Sequence, residues 1–361
     1  MTATTPPRAP SDNAFDLLRL VGALLVIAEH SWVLAGHDTP LGRASGSGFG
    51  SIGVGIFFLT SGYLISASWL ADPSVRRYAA RRALRIYPAY LVVVAGTALV
   101  LGPLLTTLSA RAYFTNSGTW SYLARNLLVY PVSYALPGVF EHAPQPGVVN
   151  GSLWTIRVEV LCYLGVAALG LFRLLRRRSV LVTLAAAGLA VATVVHVTGY
   201  GGLLYPLPVA ADAAEPLAFF AIGAAARWFG PRVAPPWWLA ALSVLAWLVA
   251  WGTPVANLLS IVAVSCVTFT VAFRSPTVLH HPLRGWDLSY GTYLLAFPVQ
   301  QVLVQLGVRA PALLLLATTA VALPLAAVSW RLLERPALRL KPRRPTVDPA
   351  RSLGQTGTGG R

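Results

Sequence analysis

The pattern of apolar positions divides the chain into long hydrophobic stretches separated by short polar segments. Ten stretches approach the roughly 17–25 residues that a transmembrane helix needs. We therefore predict an all-α fold, a polytopic membrane bundle of about ten transmembrane helices. The predicted spans are 14–35, 50–71, 86–107, 150–172, 179–197, 213–230, 236–252, 255–273, 287–306 and 311–332.

Composition and charge agree with this topology, since 56% of the residues are hydrophobic and only 11% are charged. If both termini lie on one side, 23 of the 28 lysines and arginines lie there too. The positive-inside rule then makes the N- and C-termini cytoplasmic. Topology alone accounts for the net charge of +16, so no nucleic-acid partner is indicated, and the basic tail is expected to lie against membrane lipids.

We predict a single membrane domain over residues 14–340, preceded by a cytoplasmic segment, 1–13. The basic tail 341–361 has too few apolar residues to fold and is expected to be disordered. The outward segment 108–149 is too rich in proline and polar residues to be a span. Loops of that length are often functional, so it is expected to cover an outward-facing cleft.

The first span carries two ionisable residues, Arg19 and His30, inside FDLLRLVGALLVIAEHSW. Such residues are costly in a membrane unless they are paired or functional. Eleven residues make about three helical turns, so both side chains project from nearly one face, about 16 Å apart along the axis. The spacing favours a cationic anchor at one surface and a candidate base deep in the bilayer. A boundary arginine and a histidine satisfied by a neighbouring helix would give the same pattern.

The second span, GVGIFFLTSGYLIS, is rich in small residues. Gly53, Gly55 and Gly62 predict close packing against neighbouring helices. Close packing would also leave a narrow path for a ligand, with Ser61 lining it near the middle of the membrane. Both interpretations stay open on the sequence alone.

Five arginines follow directly in RRYAARRALRIYP. Arginine is common at a cytoplasmic membrane boundary. This density also suits a ligand that carries phosphates, because guanidinium groups pair with phosphate oxygens in a bidentate manner. The sequence has no glycine-rich phosphate loop, which disfavours nucleotide hydrolysis.

The fourth span opens GSLWTIRVEVLCYL and places Glu159 within an apolar run. An acidic residue inside a membrane is a functional candidate. The topology puts Glu159 at a depth similar to that of His30, where a carboxylate would orient the imidazole and stabilise its protonated form. The alternative is an ion pair with Arg157 that fixes helix packing.

The last two spans also carry polar residues. The ninth begins WDLSYGTYLLAFPVQQ, in which Asp287 is predicted to cap the helix and Tyr290 to line a cavity. At the end of the tenth, Glu334 is flanked by Arg331 and Arg335. This spacing predicts an interfacial ion pair among the three.

In this order, these stretches resemble the family-3 membrane acyltransferases, bacterial proteins that O-acylate surface polysaccharides, peptidoglycan and some macrolides. The resemblance spans residues 14 to about 340. Its most specific part is Asp16 and Arg19, followed after ten residues by His30. The runs FFLTSGYLI, LRIYP, SLWTIRVE and SYGTYLLAFP follow in the family's order. The chain departs from many members at Ala83 and Leu84, where they have more arginine, and at Ala296, where they have histidine.

The resemblance implies transfer of an acyl group, usually acetyl, from a cytoplasmic acyl-CoA to a hydroxyl, often beyond the membrane. Arg19 matches the family's anchor, and His30 matches the histidine to which catalysis is ascribed. Arg82 and Arg85 match the arginine cluster beside the donor. The expected roles are catalysis for His30 and Glu159, donor binding for Arg19, Arg82 and Arg85, and lining of the cavity for Asp16, Ser61, Trp154 and Tyr290.

Acyl transfer from a thioester needs a base and donors for the developing oxyanion, but no metal or redox cofactor. We therefore expect acetyl-CoA or another acyl-CoA as co-substrate, no bound cofactor and no metal. The expected partners are the acyl-CoA, a glycan or other hydroxyl acceptor and membrane lipids, and the expected location is the bacterial inner membrane. His30 would act directly as a base or carry the acyl group itself, and the sequence does not distinguish the two.

Two alternatives stay open on the sequence. In the first, the acceptor is a small molecule such as a macrolide sugar. In the second, the protein is a non-enzymatic glycan transporter or flippase, in which His30 and Glu159 relay protons.

Overall fold

In a computed structural model of the protein, the described residues are 13–199, 211–280, 283 and 285–342. Within these ranges the chain is helical and contains no β-strand. The predicted cytoplasmic segment lies outside them except for Asn13. So does the predicted disordered tail, except for Lys341 and Pro342.

Turns and longer connecting segments join the helices, the longest described one being 128–152. Two helices, α4 and α5, lie in the long segment that the sequence did not assign to a span. The helices are α1 (Phe15–Leu34), α2 (Phe49–Ala71), α3 (Val75–Leu105), α4 (Ala110–Thr115), α5 (Ser117–Leu127), α6 (Leu153–Leu171), α7 (Arg178–Thr198), α8 (Ala214–Ala226), α9 (Trp237–Val249), α10 (Ala256–Arg274), α11 (Ser289–Gln305) and α12 (Pro311–Arg339).

Each of the ten predicted spans overlaps one of these helices. Seven of the described helices are long and apolar enough to cross a bilayer. The other three, α8, α9 and α11, have 13, 13 and 17 residues. The prediction of an all-α polytopic bundle is confirmed.

The third helix starts earlier than predicted, at Val75 and not near Ile86. Ser74 begins it, because its hydroxyl accepts a hydrogen bond from the backbone amide of Arg77 at 3.4 Å. The arginine cluster is rich in good helix formers and has no helix breaker before Pro88, so it continues the helix. Its side chains are therefore held on a rigid element.

The first helix occupies the centre of the bundle, packed between α2 and α11. On its other faces α2 packs against α6 and α8, and α11 packs against α12. A Cβ added at Gly53 would overlap the carbonyl oxygen of Gly22, and one at Gly62 would overlap that of Phe220. The glycines of α2 are therefore required for close helix packing, as one of the two interpretations of this span predicted.

Candidate active site

Asp287 joins the start of α11 to arginines on α1 and α3. Its Oδ2 accepts hydrogen bonds from Arg85 at 2.6 Å and from Arg19 at 3.3 Å. Its Oδ1 accepts from the hydroxyl of Ser289 at 2.7 Å. The two guanidinium groups therefore neutralise a carboxylate whose side chain is only 13% exposed. We call Arg19, Arg82, Arg85 and Asp287 the arginine end of the bundle.

Glu334 also belongs to this end, which corrects the predicted pairing with Arg331 and Arg335. Its Oε2 lies 3.6 Å from Nη1 of Arg85, and its Oε1 accepts a hydrogen bond from Ser329 at 3.0 Å. A π turn at Trp330–Glu334 turns this carboxylate inward, where it is only 2% exposed. Arg331 and Arg335 are exposed instead.

Two other arginines of α3 are paired with Asp72, which follows α2. Arg77 binds this carboxylate through two of its nitrogens, at 2.6 and 2.9 Å, and Arg81 binds it at 2.6 Å. These hydrogen bonds hold the pKa of Asp72 well below its usual range. Arg77 and Arg81 therefore fix the α2–α3 turn and are not free for a ligand.

Arg82 is held differently, over aromatic rings and without a carboxylate. Its guanidinium lies 5.7 Å from the ring centroid of Tyr163 and 5.9 Å from that of Tyr78, and it forms no ion pair within the described ranges. Lys341, two residues after the end of α12, lies close to Arg82 and Arg85. Burial and the neighbouring Arg82 and Arg85 lower the pKa of Lys341 to about 8. These two cations leave the arginine end with a positive surplus that suits an anionic ligand.

His30 lies near the other end of α1 and lines a cavity of about 330 Å³, the His30 cavity. Its ring stands edge-on to Phe297, with centroids 5.0 Å apart. Nδ1 is buried and has no hydrogen-bond partner among the described residues. The cavity is also lined by Val26, Gly50, Ser51, Val54, Trp154, Asp212, Glu215, Pro216, Phe219 and Tyr293.

The helical turn that carries His30 is fixed by Gln300 of α11. The side-chain amide of Gln300 donates to the carbonyl of Ile27 at 2.9 Å and to the hydroxyl of Ser31 at 2.8 Å. Gln300 and Ser31 are both fully buried. Since Phe297 and Gln300 are three residues apart on α11, one face of this helix contacts the ring and the backbone of the same turn.

Glu159 lies next to the His30 cavity but does not reach the imidazole. Its Oε1 accepts a hydrogen bond from the hydroxyl of Tyr163, one turn later on α6. It lines a smaller cavity with Ser61 and Tyr290, the Glu159 cavity. The structure thus provides neither the predicted contact of Glu159 with His30 nor an ion pair with Arg157.

Two tyrosines of α11 connect these features. Tyr290 lies under Arg85, 5.4 Å from the guanidinium to the ring centroid, and also lines the Glu159 cavity. Tyr293 lines both the Glu159 cavity and the His30 cavity. The residues from the arginine end to His30 therefore form an unbroken series through the bundle. Asp16 is not part of it, because it pairs with Arg19 at 2.5 Å with its side chain 48% exposed and lines neither cavity.

A third cavity, of about 810 Å³, lies beyond His30 on the side away from the arginine end, and we call it the outer cavity. It shares Ser51 and Glu215 with the His30 cavity. Gln145, from the segment that was expected to cover a cleft, also lines it. Its other polar side chains are those of Glu29, His37, Asp38, Thr39, Ser47 and His196.

Comparison with known protein families assigns the chain to one of them. The pattern of the acyltransferase-3 family, described as an acyltransferase domain, matches residues 12–331. The chain belongs to this family. It is therefore an acyltransferase, which sets aside the non-enzymatic transporter, and its helices make it a multi-pass membrane protein.

Individual relatives agree with the assignment. Nodulation protein 10 of Rhizobium leguminosarum bv. viciae is 31% identical over 91% of this chain and 94% of its own length. The O-acetyl transferase of Shigella phage Sf6 is 29% identical over 90% of this chain and 95% of its own length. Acyltransferase MdmB of Streptomyces mycarofaciens is 28% identical over 44% of this chain and 39% of its own length. No solved structure matches the chain.

The sequence interpretation overlooked one candidate residue of this acyltransferase, Glu215. This carboxyl lies in the His30 cavity, where its Oε1 accepts a hydrogen bond from Ser47 at 3.4 Å. The signal was available, because Glu215 is an acidic residue within a predicted span. Its position in the same cavity as His30 follows only from the packing of α8 against α2.

Proposed function

We propose that the protein is an O-acyltransferase of the bacterial cytoplasmic membrane, which moves an acetyl group from acetyl-CoA to a hydroxyl of a cell-surface or exported polysaccharide. The observation that carries this proposal is the series of lining residues described above. It runs from the arginine end through the Glu159 cavity to the His30 cavity and the outer cavity. A donor and an acceptor can thus approach the same histidine from opposite faces.

The donor enters at the arginine end, which the positive-inside rule places in the cytoplasm. Arg82 and Lys341, which have no carboxylate partner within the described ranges, take the donor phosphates. Arg19 and Arg85 border this site and are held in place by Asp287. The pantetheine arm then extends past Tyr290 and Glu159 towards His30, about 16 Å from Arg19 along α1.

His30 acts as the general base. It accepts the proton of the acceptor hydroxyl as that oxygen forms its bond to the acyl carbonyl carbon. The carbon–sulfur bond then breaks, and the proton passes to the departing thiolate of coenzyme A. Two carboxyl groups line the His30 cavity, those of Asp212 and Glu215, and within the described ranges neither forms a hydrogen bond with the imidazole. We assign to Glu215, the less exposed of the two, the stabilisation of the protonated imidazole across this cavity, in place of Glu159. Glu159 and Tyr163 shape the passage of the donor.

The acceptor enters through the outer cavity. A volume of about 810 Å³ and a lining of carboxyl, hydroxyl, amide and imidazole groups suit a hydroxyl-rich sugar. Because this cavity opens away from the arginine end, the acceptor lies on the outer side of the membrane. This position and this lining support a polysaccharide as the acceptor.

The test measures transfer of label from radiolabelled acetyl-CoA in isolated membranes. We compare wild type with His30→Ala, and with His142→Ala as a control at an exposed histidine. The proposal predicts label in extractable glycan for wild type and the control, and a loss of about 100-fold or more for His30→Ala. Label in a small molecule would overturn the polysaccharide acceptor, and full activity of well-folded His30→Ala would overturn the role of His30.

A further inference from the structure

A separate pocket of about 260 Å³ lies at the arginine-rich face, between the end of α2 and the turn that follows α6. Trp69, Leu70 and Pro73 line one side. Gly170, Leu171, Arg173, Leu175 and Arg176 line the other. None of the residues discussed for acyl transfer lines it.

Two arginines give this pocket its charge. Arg173 and Arg176 are exposed, line the pocket and form no ion pair within the described ranges. Arg173 directly precedes a 3₁₀ turn at Leu174–Arg176. Because both side chains line this one pocket, both guanidinium groups are available to one ligand.

The backbone of Arg173 supports a specific arrangement of this turn. It has a φ of 59°, in the left-handed region that residues with a Cβ seldom occupy. The next two arginines in the chain, Arg177 and Arg178, are also exposed but do not line the pocket. Between α6 and the start of α7, one pair of arginines therefore lines the pocket and the next pair does not.

The pocket is connected by aromatic contacts to the arginine end. The Trp69 ring stands edge-on to Tyr78, with centroids 5.0 Å apart. The same Tyr78 ring contacts the guanidinium of Arg82, which lies 5.9 Å from its centroid. On the opposite side, Leu171 and Phe172 are 62% and 76% exposed, as residues in contact with lipid would be.

We propose that Arg173 and Arg176 bind a phosphate group in this pocket. Paired guanidinium groups suit phosphate oxygens, and the group has two possible sources. One is the headgroup of an anionic lipid, whose chains would lie along Leu171 and Phe172. The other is the nucleotide end of coenzyme A, reaching past Tyr78 from Arg82, and this source alone rests on the proposed function.

The experiment compares Arg173→Gln/Arg176→Gln with Arg177→Gln/Arg178→Gln in the purified full-length protein. Each double variant removes two exposed arginines from the segment between the end of α6 and the start of α7, so net charge is matched. The probes are phosphatidylglycerol against phosphatidylcholine, and coenzyme A against pantetheine. Apparent Kd values come from the shift in thermal unfolding, and the unfolding temperature without a probe reports folding.

We expect one phosphate-bearing probe to bind wild type and Arg177→Gln/Arg178→Gln equally. It should bind Arg173→Gln/Arg176→Gln at least about tenfold more weakly. A difference with phosphatidylglycerol identifies a lipid site, and a difference with coenzyme A identifies a donor subsite. Equal Kd values for the two double variants with every probe would overturn the proposal that this pocket binds a phosphate group.

The proposed function is tested separately, by the transfer of label from radiolabelled acetyl-CoA. If wild type transferred no acetyl group but phosphatidylglycerol still distinguished the two double variants, the pocket would stand without the proposed function.

Discussion

The contact between Gln300 and the helical turn of His30 leads to a specific prediction. Replacing Gln300 by Met keeps the length of the side chain but removes both hydrogen bonds, to Ile27 and Ser31. The turn that carries His30 then loses its polar connection to α11. Gln301→Met is a matched control, because Gln301 is equally buried but donates to the carbonyls of Gln145 and Val148.

The expected loss of stability is small. Hydrogen bonds between membrane helices contribute about 0.6 kcal/mol each on average, so the two bonds of Gln300 amount to about 1 kcal/mol. The substitution also removes the side-chain oxygen of Gln300, which is buried and has no hydrogen-bond partner in the described part of the chain. This removal offsets part of the loss.

The expected loss of activity is much larger. A displacement of a catalytic group by about 1 Å can cost about 100-fold in rate. We therefore expect Gln300→Met to lower kcat by about 10- to 100-fold while the KM for acetyl-CoA stays nearly constant, because the donor binds at the other end of α1. Gln301→Met should leave kcat within about threefold of wild type.

A double-mutant cycle with Ser31→Ala tests whether the effect passes through this contact. Ser31→Ala removes one of the two acceptors, so its effect on kcat should be smaller than that of Gln300→Met. The double variant should be no slower than Gln300→Met alone, because the shared interaction is lost only once. Equal losses of kcat in Gln300→Met and Gln301→Met, or additive effects in the cycle, would refute the reasoning.

Three further predictions concern stability and donor binding. Asp287→Asn removes the closer of the two carboxylates that pair with Arg85 and leaves only Glu334 at 3.6 Å, so thermal unfolding should show a loss below the roughly 3–5 kcal/mol of a fully broken buried ion pair. Unchanged stability would contradict this pairing. Gly62→Ala should cost about 1–3 kcal/mol through overlap with the Phe220 carbonyl. By contrast, Gly165→Ala, where a Cβ meets nothing within 4 Å, should not destabilise the protein. Since the pKa of Lys341 is lowered to about 8, its charge is present at pH 7 and largely lost at pH 9. The KM for acetyl-CoA should therefore rise over this range in wild type but not in Lys341→Arg, and equal pH profiles would exclude a role for this charge.

The pattern of apolar residues was sufficient to predict the bundle, because each span must satisfy its own backbone hydrogen bonds. It also placed Arg19 and His30 at opposite ends of one helix, which depends only on local geometry. The start of α3 was misplaced because the cationic run was taken as a boundary. Its residues nevertheless favour helix, and Ser74 caps it.

The sequence could not identify the partners of the charged residues. Asp287 contacts Arg19 and Arg85 across 268 and 202 residues of the chain. Local spacing therefore indicated only its contact with α11. Glu334 was assigned to its neighbours in sequence, but a π turn directs it to Arg85.

The same limit applies to the carboxyl near His30. The topology predicts a depth for Glu159 similar to that of His30, but depth does not fix the direction of a side chain around the helix axis. Glu159 contacts Tyr163, while Glu215 on α8 lines the cavity of His30.

The most direct test of the account measures donor binding and acetyl transfer on the same purified proteins, because the central claim assigns them to opposite ends of the bundle. For His30→Ala, we predict a Kd for acetyl-CoA within about threefold of wild type and transfer reduced by about 100-fold or more. For Arg82→Gln, we predict a Kd weakened by about tenfold and near-normal transfer at saturating donor. Transfer by His30→Ala at the wild-type rate, or loss of transfer at saturating donor in Arg82→Gln, would contradict the account.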